Sequence, residues 1–532
     1  MDASTRRASF RKAHLAAIVT CGIVFGSTVA FAQNKPDRET ARWWSNVQYM
    51  ASDAMEGRDT GTVAYQRAAE WVAKQFQDAG LKPAGTDGYM QPVPMHQVAL
   101  VADKSSVSLV RGDKSEPLKL LHDLTVAAGA GISGHVEGPL VFVGYGVSED
   151  EIRGLDLKGK VAVFFAGAPK SAASANVAPD RNRLLTRAGV AAVVGIANPR
   201  ALEPAKWPAA YSRTVRLRGT SEATSDRVQI YSFTLSAAAA PRLLASSGHD
   251  WNEILDKGAA GDPLPSFEIP ARLVADLTFA AKDIESPNIV GVLPGSDPEL
   301  KNEYVVLSAH LDGYGFGEPV NGDNLYNGAF DDAAYVSTLI EFARLAKEQH
   351  KTYRRSVLLA VVTGEEKGLL GSAYFVAHPT VPKEQLVADI NLDQLRPIFP
   401  LRIMTVEGLA DSSLGETARQ IAKTMDIEIR PDLEPQRNLF RRSDNFNFVR
   451  IGVPAVGFVF GYNPGSPEEK IYRAWYAERY HRPSDDTKQP IDFNASGRLN
   501  TFVYRMAESL ANATPKPTWN PDSPYKPKAS SE

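Results

Sequence analysis

In the second half of the chain, apolar residues gather in short near-continuous runs at 304–309, 356–362, 387–392 and 453–459, with a helix-spaced stretch at 333–346 between the first two. Continuous apolar strands alternating with helices predict an α/β fold, a mostly parallel but mixed sheet covered by helices on both faces. Nearer the N-terminus, 36–43 reads as a polar lead-in. Residues 44–80 then carry Ala64, Ala68, Trp71, Val72, Phe76 and Ala79 at helical spacing, and Gly80 stands where a helix C-cap belongs. Residues 52–58 read as a polar turn between two helices, and 91–95 as an extended segment.

From about 107 to 279 the texture changes to short strands and small loops, with apolar runs at 107–110, 140–143, 161–165 and 190–196 and a helix near 183–187. This predicts a small β-rich domain of its own, placed at 107–283. It would divide a single surrounding domain into residues 40–106 and 284–512. Beyond Asn512 the chain holds Pro515, Pro517, Pro521, Pro524 and Pro527 with few aliphatics, so 513–532 is expected to be an extended or disordered Pro-rich tail.

The first 32 residues form a third pattern. Arg6, Arg7, Arg11 and Lys12 precede an apolar run at 15–29 that closes on Ala30-Phe31-Ala32. Basic, apolar, then small residues in that order predict a secretory signal peptide cleaved after Ala32, so that the protein is exported to the periplasm or secreted and keeps no membrane span. Cleavage removes four cations, the anion Asp2 and the lone cysteine, Cys21, taking the formal charge from -3 to -6. An exported chain without thiols has neither disulfides nor thiolate metal sites.

Length and composition agree with a folded protein of several domains. Hydrophobic residues make up 43% of the 532 and charged residues 23%, which excludes wholesale disorder. With 59 Lys and Arg against 62 Asp and Glu there is no basic excess, so nucleic acid is not an expected partner.

The chemistry lies at the ends of the apolar runs. The run at 304–309 ends at His310, that at 356–362 leads to Glu365-Glu366, and that at 387–392 ends at Asp393. In an open α/β sheet, ligands bind outside the carboxyl ends of the strands, so these side chains converge there. Asp331, just before a helix, and His481 join them. Two imidazoles and three carboxylates without a thiolate suit zinc ahead of manganese or cobalt, and one carboxylate can bridge two ions. Glu365 is then a spare carboxylate beside a ligand, placed to accept a proton from an attacking water, and the reaction class implied is metal-assisted hydrolysis of an amide. Neither a His-Glu-x-x-His helix nor a Gly-x-Ser-x-Gly elbow is present.

The motifs Ser308-Ala309-His310-Leu311-Asp312, Gly328-Ala329-Phe330-Asp331-Asp332, Gly364-Glu365-Glu366-Lys367-Gly368, Asn391-Leu392-Asp393 and Tyr480-His481 resemble those of the co-catalytic two-zinc aminopeptidases of the bacterial leucyl aminopeptidase type. The resemblance extends to 40–100 and 284–512, and the intervening segment resembles a protease-associated domain. It implies two Zn2+ per chain: one on His310 and Asp393, one on Glu366 and His481, with Asp331 bridging and Glu365 as general base. It further implies that Tyr480 hydrogen-bonds the oxyanion, that Arg442 contacts the substrate main chain, and that the substrate is a peptide. Two departures stand out: Asp331-Asp332 where many members have Asp-Asn, and Ser443-Asp444-Asn445 where many have His after Ser-Asp. Gln394 is also less usual. A carboxypeptidase, a glutaminyl cyclase and a metal-free binding ectodomain remain the alternatives on this scaffold, and the sequence leaves the oligomeric state open.

Overall fold

The computed structural model describes residues 35–127, 133–171, 177–201, 213–219 and 230–528. The leader pattern at 1–32, with Cys21, lies outside them. Among the described residues no helix is long and apolar enough to cross a membrane.

Two large sheets form. The first has ten strands around a parallel centre, in which Tyr304–His310 pairs with Ser356–Val362 on one side and with Leu386–Asn391 on the other, all running the same way. Antiparallel strands extend it: Phe279–Leu293 and Met90–Leu100 on one flank, and Ile403–Glu407 beside Ala455–Phe460 on the other. Side-chain alternation places this sheet between two apolar layers. Val305, Leu307, Ala309, Val357, Leu359 and Val361 enter one core with helices Arg38–Met50, Val63–Asp78, Ala334–Glu348 and Phe493–Asn512, whereas Val306, Leu358 and Ala360 enter another on the opposite face. With both faces buried, an in-out pattern is unnecessary, and the strands are largely apolar, with Ser308, Asp389 and Asn391 buried among the aliphatics and hydrogen-bonded to one another.

The second sheet, of eight strands, is drawn from Ser106–Arg111 through Ser266–Leu277 and closes over its own core. One strand between those limits, Arg213–Leu217, instead pairs with Met90–Leu100 at the edge of the first sheet. Strand Ser266–Leu277 of the second sheet is followed, after Thr278 alone, by Phe279–Leu293, which lies in the first sheet.

One segment differs from its sequence reading, and another adds contacts to it. The polar lead-in is helical from Arg38, because the Asp37 side chain accepts the Thr40 N–H and so caps a helix whose buried face is sparse: Thr40, Trp43, Asn46, Val47 and Met50. The Pro-rich tail docks on the protein surface. Trp519 donates its indole N–H to the Gly452 carbonyl at 2.8 Å, and Thr518 and Ser413 exchange hydrogen bonds.

The turn between the first two helices carries a constraint of its own. Glu56, Gly57 and Arg58 all have positive φ, and a Cβ on Gly57 would stand 2.4 Å from the Tyr326 carbonyl oxygen. This conformation sends the fully buried Arg58 side chain inward, where it donates to the carbonyls of Met50, Leu311, Asn327 and Gly328. One guanidinium thereby ties the N-terminal helices to the loops after the central strands.

Strand Ile403–Glu407 ends in a carboxyl that burial, reinforced by the Asp432 carboxylate, pushes up to about 7. Such a group holds its proton more tightly when folded. Its contribution to stability is therefore greatest below its ordinary value of 4.5, falls as pH rises toward 7, and is constant above. Glu407→Gln abolishes that loss. Urea denaturation is expected to show the variant gaining about 3 kcal/mol on the parent between pH 4.5 and 8; parallel profiles would contradict the burial of this charge.

Candidate metal centre

The parallel register brings the three strand ends to one edge of the sheet. His310 closes its strand, Glu365 and Glu366 follow Val362 across a turn, and Asp393 follows Leu392. Asp331 sits on the turn before helix Ala334–Glu348, where the Asp331-Asp332 peptide is cis. His481 comes from the loop after helix Pro467–Glu478. These residues form two clusters, His310 with Asp331 and Asp393, and Asp331 with Glu366 and His481, and Asp331 is common to both.

Donor chemistry shows what the clusters fit. Nδ1 of His310 lies 3.0 Å from the Asp312 carbonyl oxygen, which can only accept, so Nδ1 carries the hydrogen and Nε2 presents a lone pair. That lone pair faces Asp331 Oδ1 at 3.3 Å, while His481 Nε2 lies 3.2 Å from both Asp331 Oδ2 and Glu366 Oε1. Two ligand atoms each about 2.0–2.1 Å from a tetrahedral ion stand about 3.3 Å apart. His310 Nε2 and Asp331 Oδ2 are buried and have no hydrogen-bond partner among the described residues. Donor atoms at these spacings could hold cations, and each oxygen of Asp331 points to a different imidazole.

The supporting contacts are mostly ones the sequence did not reveal. The Asp312 carboxylate accepts the N–H groups of Glu365 and Glu366 at 3.1 and 3.3 Å and the Thr60 hydroxyl at 3.0 Å, fixing the Glu-Glu turn. Asp485 accepts the N–H groups of Phe330 and Asp331 at 3.0 and 3.1 Å, registering the His481 loop against the Asp331 turn. Ser443 donates to Asp393 Oδ2 at 2.6 Å and Gln394 to its Oδ1 at 2.7 Å. Tyr314 donates to Glu366 Oε2, and its ring packs edge-on to His481. Arg396 lies over the Trp475 ring and donates to the carbonyls of Phe330 and Asp393. Asp332 accepts the His310 N–H at 2.9 Å, so the second acid of the Asp-Asp pair anchors backbone.

Neighbouring Lys367 is nearly buried and pairs with Asp59 at 2.9 Å, and Asp59 also pairs with Arg213. Strand Arg213–Leu217 thus places a cation within one residue pair of the Glu365-Glu366 turn.

A cavity of about 400 Å³ opens over the clusters, lined by Asp331, Glu365, Glu366, Asp393, Arg442, Tyr480 and His481 together with Gln394, Gly368, Leu369 and Leu439. All eight residues singled out in the sequence therefore lie on this cavity or directly beneath it. Tyr480 stacks on His481 at 3.6 Å between ring centroids. Burial pushes the Glu365 carboxyl well above the usual range; His310 opposes this, and the Glu366 and Asp393 carboxylates add to it. A dication in the clusters acts in the opposite sense. His96 and His135 lie elsewhere, paired with Asp283 and Asp276.

The chain superimposes on a zinc aminopeptidase from Bacillus subtilis with a TM-score of 0.58 and 18% identity, covering 90% of this chain and 97% of that one, a likeness of fold. It is 28% identical over 214 residues to a probable leucine aminopeptidase 2 of Aspergillus oryzae, covering 37% of this chain and 40% of that one. It is 26% identical over 385 residues to a probable glutamate carboxypeptidase of Arabidopsis thaliana, covering 63% and 51%. The chain spans about half the length of these curated relatives. Residues 288–507, which contain His310, Asp331, Glu365, Glu366, Asp393, Arg442, Tyr480 and His481, match the model of peptidase family M28.

Proposed function

We propose that the protein is an exported, zinc-dependent aminopeptidase that removes N-terminal residues from peptides. The observation carrying this reading is the pair of clusters joined through Asp331, with Glu365 beside them on one cavity. His310, Asp393 and one oxygen of Asp331 would hold one zinc; His481, Glu366 and the other oxygen would hold the second. Zinc at these positions supplies Lewis-acid polarisation of the scissile carbonyl and of the attacking water.

The chain's own groups do the rest. Glu365 accepts the water proton and returns it to the departing amine nitrogen. The Tyr480 hydroxyl donates to the developing oxyanion, and the Arg442 guanidinium donates to a substrate main-chain carbonyl. The likeness in fold to the Bacillus subtilis zinc aminopeptidase and the similarity to the Aspergillus oryzae relative favour a substrate cleaved from its amino end. A carboxypeptidase is the second reading, and it rests on Arg442 together with the likeness to the Arabidopsis relative.

The test is hydrolysis of amino-acid p-nitroanilides with and without a chelator, beside N-blocked dipeptides. Release from the free-amine substrates, lost on chelation, supports the aminopeptidase; release only from the N-blocked set transfers the reading to a carboxypeptidase. Glu365→Gln is expected to keep the zinc content of the parent and to lower kcat by about 10²–10⁴-fold; undiminished turnover removes Glu365 from the proton-transfer role. For export, N-terminal sequencing of protein recovered from the periplasm or medium is expected to begin at Gln33, and retention of Met1 contradicts cleavage.

A further inference from the structure

Two of the cavity-lining residues, Leu439 and Arg442, stand on an irregular stretch, 435–444, that contains only two short helical turns. The same stretch carries Ser443, whose hydroxyl orients Asp393. A segment with so little regular structure draws its position from what packs behind it. Behind Phe440 and Arg441 lies the C-terminal tail. The Tyr525 ring centroid is 5.4 Å from that of Phe440 and 5.9 Å from that of Phe446, and the Arg441 guanidinium stands 5.7 Å over the Tyr525 ring and 5.0 Å over that of Phe446.

The tail is itself fixed upstream of Tyr525. Ser413 N–H donates to the Thr518 carbonyl at 2.9 Å, and Thr518 N–H to the Ser413 hydroxyl at 3.0 Å. Asn520 donates its backbone N–H to Asp411 and its amide to Ala410, both at 2.8 Å, and Ser523 donates to the Asp411 carboxylate at 2.8 Å. Trp519 is pinned to Gly452. The Pro residues lower the entropic cost of ordering this stretch, which lets few contacts fix it.

We propose that the C-terminal tail is a brace for the substrate site, and that Tyr525 is a positioning residue that sets Leu439 and Arg442 on the cavity wall. Tyr525 reaches the site through Phe440, Arg441 and Phe446, so its influence falls on substrate binding rather than on proton transfer. This assignment rests on the peptidase reading for its kinetic consequence but not for its structural one, and the two are tested separately.

The experiment uses the full chain with Tyr525→Ala and Tyr525→Phe. The structural readout is limited trypsinolysis, since Arg437, Arg441 and Arg442 all lie on the braced stretch. Tyr525→Ala is expected to be cut there at least about 5-fold faster than the parent and Tyr525→Phe at the parent rate, because stacking and cation–π contact need the ring and not the hydroxyl. Cleavage unchanged in Tyr525→Ala overturns the brace whatever the protein's activity. The kinetic readout is hydrolysis of a tripeptide. Tyr525→Ala is expected to raise KM about 3- to 10-fold with kcat within 2-fold and zinc content unchanged, and Tyr525→Phe to restore the parent KM. A fall in kcat at constant KM, or a lowered Tm with both constants intact, overturns the positioning role. Failure of the parent itself to cleave peptides overturns the peptidase reading and leaves the proteolysis result to decide the brace.

Discussion

Buried negative charge is the constraint around which this structure is arranged. Asp331, Glu366 and Asp393 are buried at one sheet edge with Glu365 among them, and Asp312, Asp332 and Asp444 are buried close behind. The protein meets them with fewer cations, and one of these, the fully buried Arg58, gives its hydrogen bonds to backbone carbonyls. Arg396 stands 3.9 Å from Asp331 Oδ2, and Lys367 is already held by Asp59. Concentrating carboxylates in a low-dielectric site is unfavourable unless each finds a hydrogen bond, a proton or a cation. Those behind the site find hydrogen bonds: Asp312 from Glu365 and Glu366, Asp332 from His310, Asp444 from Ser372. Burial still pushes Asp444 up to about 7 and Asp485 up to about 6. The carboxylates on the cavity side face imidazole lone pairs instead, and a dication satisfies both partners at once.

Rigid elements hold that arrangement. The parallel strands deliver His310, the Glu365-Glu366 turn and Asp393 to a common edge, and the buried Arg58 binds the loops beneath them to the N-terminal helices. The groups that adjust to a substrate, Arg442 and Leu439, sit on irregular chain instead. Precise metal geometry on strands and adaptable recognition on loops is the usual division in α/β enzymes.

Much of this was legible in the sequence, for identifiable reasons. The central strands are buried on both faces, so they read as nearly continuous apolar runs; His310 and Asp393 come directly after theirs, and Glu365 and Glu366 follow theirs across Thr363-Gly364. Strand Ser356–Val362 coincides with its apolar run, and His310, Glu366 and Asp393 follow from the same logic. The flanking strands were harder to read. Met90–Leu100 contains Pro92 and Pro94, residues that argue against a paired strand, and it stands nonetheless because it lies beside the antiparallel Phe279–Leu293 near the sheet edge. The contacts that hold the ligands were hidden because they are distant in sequence. Asp485 acts on Asp331 across 154 positions, and Arg58 acts on Gly328 across 270. The tail was read as extended or disordered from its prolines, whereas Trp519 and Tyr525 decide its position by finding Gly452 and Phe440.

The central claim is that one carboxylate, Asp331, joins two cation positions. It is tested most directly by elemental analysis of the purified protein and of Asp331→Ala after equilibration with zinc and removal of loosely held ion. The account predicts about two zincs per chain in the parent and the loss of both together in the variant, since each position loses an oxygen ligand. Two tightly held zincs in Asp331→Ala, or none in the parent, would contradict it.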